Sequence, residues 1–236
     1  MYKTTRRIEC SDIAIDNKLR LSAALDLLQD CAYDHLQNDK TLKPFFEKDG
    51  NVMFLVYRQV DFFRRPVYNE NVAVKTWCYE LKRMYGYRNT TITDAQGQLC
   101  MRDYEIGAFA QLPTSRPVKI PQELADMVEK HEKLDMEYTK RKIDLPAREP
   151  DITDSLKVYL SFIDMYGHVN NARYAELSEE YVRAEKELKT LRIEYKTPLK
   201  KDNGAGIKVW NEQGSDIISI INGSGEDCCI LEYVYY

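Results

Sequence analysis

The chain has few histidines, two tryptophans and no long apolar run. His35, His131 and His168 stand far apart, and none shares a CxxC or HxxxH spacing, so a structural zinc site has no support. No segment reaches the ~20 consecutive apolar residues that a membrane helix needs. The opening Met-Tyr-Lys-Thr-Thr-Arg-Arg lacks the apolar stretch of a signal peptide. Positive charge is not in excess: 34 Lys plus Arg against 38 Asp plus Glu leave a net charge of −4, which argues against a general nucleic-acid binder. The expectation is a cytoplasmic protein without a membrane span, nucleic-acid partner or metal. The six cysteines, Cys10, Cys31, Cys78, Cys100, Cys228 and Cys229, are scattered through 236 residues and read as reduced core thiols.

What is present favours a mixed α+β protein. Apolar residues make up 44% of the chain, enough for a substantial core, and 17 tyrosines together with many β-branched residues favour strands. Leu25, Leu28, Ala32 and Leu36 keep helical spacing over residues 22–36, with Ser22 as the expected N-cap, and Ala172, Ala175, Leu177 and Val182 suggest a second long helix over 170–188. Strands are expected at 52–63, 72–80, 87–94, 99–112, 156–162, 191–195, 205–210, 217–221 and 228–236.

The chain also aligns with itself. Residues 60–77 lie over 193–210 without a gap, matching Lys75 with Lys208 and Trp77 with Trp210; Gly97 and Cys100 fall over Gly225 and Cys228. Two copies of a helix-plus-antiparallel-sheet unit follow, at 1–120 and 155–236, joined by a charged, proline-punctuated linker at 121–154 with a short helix. The first copy carries an insertion at 37–51. Pairing two such units edge to edge would bury an exposed sheet edge in each, so one continuous sheet is expected.

The densest polar cluster runs from Ser161 to Tyr174: Asp164, Tyr166, Gly167, His168, Val169, Asn170 and Asn171 lie ahead of the second helix. Amides at a helix start can hold a carbonyl oxygen that becomes negative during attack, while Asp164 and His168 supply a carboxylate and an imidazole nearby. An Asp and paired Asn ahead of a helix also serve simply to cap it. The self-alignment bears on that choice, because at an offset of 150 Ala14 and Lys18 stand where Asp164 and His168 do, so a helix start here does not require them.

Asp-x-x-Gly-His-Val-Asn-Asn followed by Tyr174 resembles the acyl-acyl carrier protein thioesterases, which are tandem hot-dog proteins with this motif in the second copy. Residues 19–30 resemble their first hot-dog helix, 82–88 a basic aromatic strand, and 115–121 the link closing the first copy. The resemblance implies a double hot-dog and hydrolysis of a fatty acyl thioester on acyl carrier protein, with Asp164 and His168 activating water. Tyr166, Gly167, Val169, Asn170, Asn171 and Tyr174 would meet the substrate. No cofactor is implied. Lys82, Arg83 and Arg88 are expected to meet the acidic carrier, and association of two chains is left open. Two departures matter: Tyr166 replaces an Asn of the family, and Pro198 and Leu199 fall where an acidic residue, sometimes followed by Cys, is usual. An acyl-coenzyme A thioesterase and a weakened acyl-binding protein are therefore the alternatives.

Overall fold

Leu21, Ala24, Leu25, Leu28, Cys31 and Ala32 recur at helical spacing and form the buried face of α1 (Leu21–Asn38). Ser22 does not cap this helix as expected; it lies buried within the first turn, and Arg20 occupies the N-cap without a side-chain bond. The computed structural model describes residues 1–48, 50–183 and 185–236. They divide into two units, Met1–Val56 with Phe63–Tyr138, and Tyr57–Phe62 with Thr139–Tyr236.

In the first unit α1 packs on an antiparallel sheet of β1 (Tyr2–Arg7), β3 (Asn71–Leu81), β4 (Tyr85–Asp94), β5 (Leu99–Gln111) and β2 (Asn51–Phe62), in that spatial order. The two-residue β6 (Arg116–Pro117) pairs with β5. The Cys31 thiol donates to the carbonyl of Val74 at 3.6 Å, tying α1 to β3. The expected insertion holds α2 (Lys43–Glu47); its residue 49 lies outside the described residues. Phe45 and Phe46 of α2 pack against a buried cluster that includes Leu42, Phe109 and Ile120. The cluster continues through Ala125 of α3 (Gln122–Met127).

The second unit is an antiparallel sheet of β8 (Leu188–Tyr195), β11 (Asp227–Tyr235), β10 (Ser215–Asn222), β9 (Ala205–Asn211) and β7 (Ile152–Leu156), in that order. Residues 57–61 of β2 pair with β8 on its other side, Tyr57 facing Glu194 and Asp61 facing Thr190. The helix expected over 170–188 is cut to α4 (Arg173–Ser178) and one 3-10 turn, Glu179–Tyr181. Residue 184 lies outside the described residues.

Tertiary bonds end the helix. The Ser178 hydroxyl turns back to the carbonyls of Tyr174 (3.0 Å) and Ala175 (2.9 Å) and meets the Tyr233 hydroxyl at 2.6 Å. Arg183 is then drawn to the fully buried Asp216, which receives its backbone amide and its Nε, each at 3.2 Å. Burial pushes the Asp216 carboxyl up, but Arg183, the Tyr235 hydroxyl and Asn211 hold it below its ordinary value.

The strand expected at 156–162 is also corrected. The strand is β7, paired with β9 from Ile152↔Val209 to Leu156↔Ala205, and Leu160–Phe162 is a 3-10 turn. The same succession opens the first unit, where β1 leads to a 3-10 turn at Cys10–Asp12. The self-alignment at an offset of 150 carried this signal, since it lays 152–157 over 2–7.

The repeat holds in detail elsewhere. Asp94 accepts from the amides of Gln96 (3.0 Å) and Gln98 (2.8 Å), and Asn222 does the same for Ser224 and Glu226, both at 3.0 Å. The connecting stretch is more than a charged spacer: the indole N–H of Trp77 donates to the carbonyl of Glu132 (2.8 Å), and that of Trp210 to the carbonyl of Arg148 (2.9 Å). Ile143 packs in a buried cluster with Trp210, Ile217 and Ile230.

Candidate functional site

The motif folds into a tight loop between the 3-10 turn at Leu160–Phe162 and α4. Ile163 bridges Val169 across it, the amide of Asp164 donates to the His168 carbonyl (2.8 Å), and the amide of Gly167 to the Asp164 carbonyl (3.0 Å). Gly167 takes a left-handed conformation, φ +77°, and a Cβ there would meet nothing within 4 Å. Backbone geometry alone therefore favours glycine. Asp164 Oδ1 accepts from the amides of Tyr166 (2.8 Å) and His168 (3.2 Å), so the carboxylate fastens the loop from inside.

The first unit builds the same loop with other side chains. Ile13 bridges Leu19, the Ala14 amide donates to Lys18 (2.9 Å), and the Asn17 amide to Ala14 (3.0 Å), with Asn17 at φ +61°. The Leu19 amide donates to the Pro66 carbonyl (2.7 Å) as the Val169 amide donates to that of Leu199 (2.8 Å). Asp164 and His168 are additions to a turn that forms without them.

His168 is half-buried. Burial pushes its imidazole below the ordinary value, Lys200 acts the same way, and Asp164 opposes both. The net effect keeps the ring neutral near pH 7, the form able to take a proton.

Past the loop, Asn170 Oδ1 accepts from the Ala172 amide (2.9 Å), and its carbonyl from the Arg173 amide (2.9 Å), so Asn170 closes a turn ahead of α4, whose N-cap position falls at Ala172 without a side-chain bond. Among the described residues the side-chain amide of Asn171 has no hydrogen-bond partner. Its backbone carbonyl accepts from the Tyr195 hydroxyl at 3.2 Å. The Tyr195 ring packs edge-on against Tyr174 at 5.9 Å, and the Tyr174 hydroxyl accepts the Leu199 amide at 3.2 Å.

Sequence reasoning missed Tyr195, the carbonyl of Leu199, a residue named above only as a departure from the family, and Lys200. The self-alignment that lays Leu199 over Pro66 could have found the second, since both carbonyls receive the equivalent amide.

Two expectations are corrected. The site does not sit at the start of a long helix: α4 has six residues, and the amides of Tyr166, Gly167 and His168 are already bonded within the loop. A long helix dipole and these three donors are therefore not what would hold an oxyanion. Arg88 is not available to a carrier protein. Its side chain and that of Glu105 are each only 6% exposed and ion-paired at 3.2 Å, and its Nη1 contacts His35 Nδ1 at 2.7 Å and Thr76 Oγ1 at 3.1 Å. Lys82 and Arg83 are exposed, but Lys82 pairs with Glu80 at 3.0 Å.

Glu70, Asp94 and Cys100 bring ligand-type atoms within 4.8 Å of one another. Arg64 already fills that corner, donating to Glu70 at 3.0 Å and to Asp94 at 2.8 Å, so the carboxylates are neutralised by a guanidinium.

Extensive antiparallel sheet with few helices is consistent with the hot-dog class of folds. The family models agree: Acyl-ACP thioesterase N-terminal domain matches residues 1–128 and Acyl-ACP thioesterase C-terminal domain matches 146–229, so the chain belongs to the acyl-ACP thioesterase family.

A curated relative, oleoyl-acyl carrier protein thioesterase 2, chloroplastic, of Arabidopsis thaliana, is 21% identical over 94% of this chain; the chain spans 66% of that protein's length. Two solved structures share the fold. An acyl-ACP thioesterase from Bacteroides thetaiotaomicron has a TM-score of 0.86 at 18% identity, covering 99% of this chain and 97% of its own. The 12:0-ACP thioesterase from Umbellularia californica has a TM-score of 0.84 at 16% identity, covering 100% and 96%. Among the described residues no helix is long and apolar enough to cross a membrane.

Proposed function

We propose that the chain hydrolyses the thioester joining a fatty acyl chain to the phosphopantetheine arm of acyl carrier protein, with His168 as the base that activates water. The observation that carries this reading is the presence of Asp164 and His168 in a loop whose counterpart forms without them. Neutral His168 takes a proton from water, and the hydroxide attacks the thioester carbonyl carbon. The Asn171 side-chain amide, which has no protein partner among the described residues, polarises the carbonyl and holds the oxyanion. The C–S bond then breaks, and the proton passes from His168 to the leaving thiolate.

Asp164 fixes the backbone around His168 and favours the transient imidazolium by its charge. Tyr166, Gly167, Val169, Asn170 and Tyr174 frame the reacting group. The family likeness extends over both halves and supports two hot-dog modules, 1–120 and 155–236, joined through 121–154 into one sheet. Six unpaired thiols suit a reducing compartment such as the cytoplasm.

One observation favours a weaker, acyl-binding alternative. Leu199 stands where the family tends to place its acidic residue or the Cys after it, and it is fully buried with its carbonyl taken by Val169. Free thiol release measured from acyl carrier protein and coenzyme A thioesters, with His168→Ala beside the unaltered chain, separates the readings. Release from the carrier substrate that depends on His168 supports the hydrolase. Release from coenzyme A alone makes it a coenzyme A thioesterase, and retention of acyl chains without release leaves a binding protein.

A further inference from the structure

We infer that an acidic carrier protein docks on the rim of the His168 loop, over Lys157, Tyr159, Leu160, Met165, Tyr166 and Lys200, an inference that rests on the hydrolase reading above. The rim is unusually apolar for an exposed turn. Leu160 is 70% exposed, Met165 72%, Tyr159 50% and Tyr166 36%, in the loop and the 3-10 turn that leads into it. Lys157 lies 5.0 Å over the Tyr159 ring, and Lys200 follows the residue whose carbonyl holds Val169 and acts electrostatically on His168. Among the described residues neither lysine has a carboxylate within ion-pair distance.

The first unit shows what the same backbone looks like when its charges are satisfied internally. Arg7, at the position of Lys157, pairs with Glu9 at 3.0 Å; Asp16, at the position of Tyr166, pairs with Arg65; and Val67 stands where Lys200 does. Apolar side chains are exposed there too, Ile15 and Val67 among them; Arg7 and Arg65 are engaged by carboxylates, and Lys18 is exposed without an ion pair among the described residues. The second rim sets two unengaged lysines, Lys157 and Lys200, around its exposed apolar side chains. A charged border around an apolar centre is the pattern of a protein interface, and the free cations select an acidic partner while the apolar side chains supply contact. The rim also borders the imidazole, so a carrier seated there would present its arm to His168.

The test reads binding apart from catalysis. Titration of the full chain with unacylated acyl carrier protein gives a Kd for the unaltered chain and for Lys157→Glu, Lys200→Glu, Leu160→Ser and Lys82→Glu. Each rim variant is expected to weaken binding by about tenfold, and Lys82→Glu by less than about twofold. Raising the ionic strength well above about 0.15 M should weaken the unaltered chain more than Lys157→Glu. A small neutral acyl-N-acetylcysteamine thioester, which has no carrier to dock, should be hydrolysed by Lys157→Glu at the unaltered rate. Carrier affinity unchanged in the rim variants, or lost in Lys82→Glu instead, overturns the inference, as does absence of binding by the unaltered chain. Carrier binding that depends on Lys157 without hydrolysis of any thioester keeps the docking surface and removes the hydrolase.

Discussion

The loops at 14–20 and 164–170 share a bridge, two backbone bonds, a left-handed residue and an anchor to a following segment, yet one holds Ala14 and Lys18 where the other holds Asp164 and His168. The frame is therefore independent of the chemistry placed on it. Each loop is fastened by a carboxylate, Asp16 Oδ1 accepting the Lys18 amide at 3.1 Å and Asp164 Oδ1 the His168 amide at 3.2 Å, so the carboxylate can change place within the frame. The same comparison makes Asp164 ambiguous, since its Oδ1 both fastens the loop and brings charge beside the ring.

Four measurements sharpen or break this comparison. His168→Ala is expected to lower kcat/KM on the carrier substrate by about 100-fold or more, the scale of a lost general base. Lys18→Ala, at the equivalent place, should leave it unchanged. Equal losses in the two would erase the distinction between the loops.

Asp164→Ala is next, with about 100-fold lost from turnover and about 1 kcal/mol lost from stability as two amides lose their acceptor. Asp164→Asn separates the two roles: it keeps an oxygen for the amides of Tyr166 and His168 and removes the charge. Stability should return while activity stays low. Full recovery of activity would reduce Asp164 to a fastener.

The pH dependence follows from the direction of the His168 shift. Because burial pushes the imidazole below its ordinary value of 6.5, the midpoint of its protonation lies beneath that pH. The acid limb of kcat/KM should lie below pH 6.5 and disappear from the residual rate of His168→Ala. An acid limb above 6.5 would contradict the assignment.

The smallest effect is expected at Tyr195, whose hydroxyl holds the Asn171 carbonyl. Tyr195→Phe keeps the ring against Tyr174 and should lower kcat severalfold with KM little changed, consistent with a net worth of about 1 kcal/mol for one hydrogen bond. A change in KM alone would point to substrate contact instead.

Much of the fold was legible because strands here are long and rich in β-branched and aromatic residues, so most of β2 to β5 and β8 to β11 fall within about three residues of expectation. The second helix was misjudged because its end is set from outside. Ser178 is claimed by Tyr233, and Arg183 by a buried Asp216 that no local pattern announces. Arg88 misled for a similar reason: an alternating basic strand does not show which face its arginine takes, and Glu105 and His35 wait on the inner one. The site motif was legible as a polar turn, but the commitment of its amides to Asp164 required coordinates.

The two tryptophans have a practical consequence. Each unit holds one, at matching places in β3 and β9, nearly buried and with its ring nitrogen tied to the connecting stretch. Intrinsic fluorescence thus divides cleanly between the halves. With Trp77→Phe or Trp210→Phe, the remaining indole reports on one half alone, and two superimposed melting curves would mean that the halves come apart together.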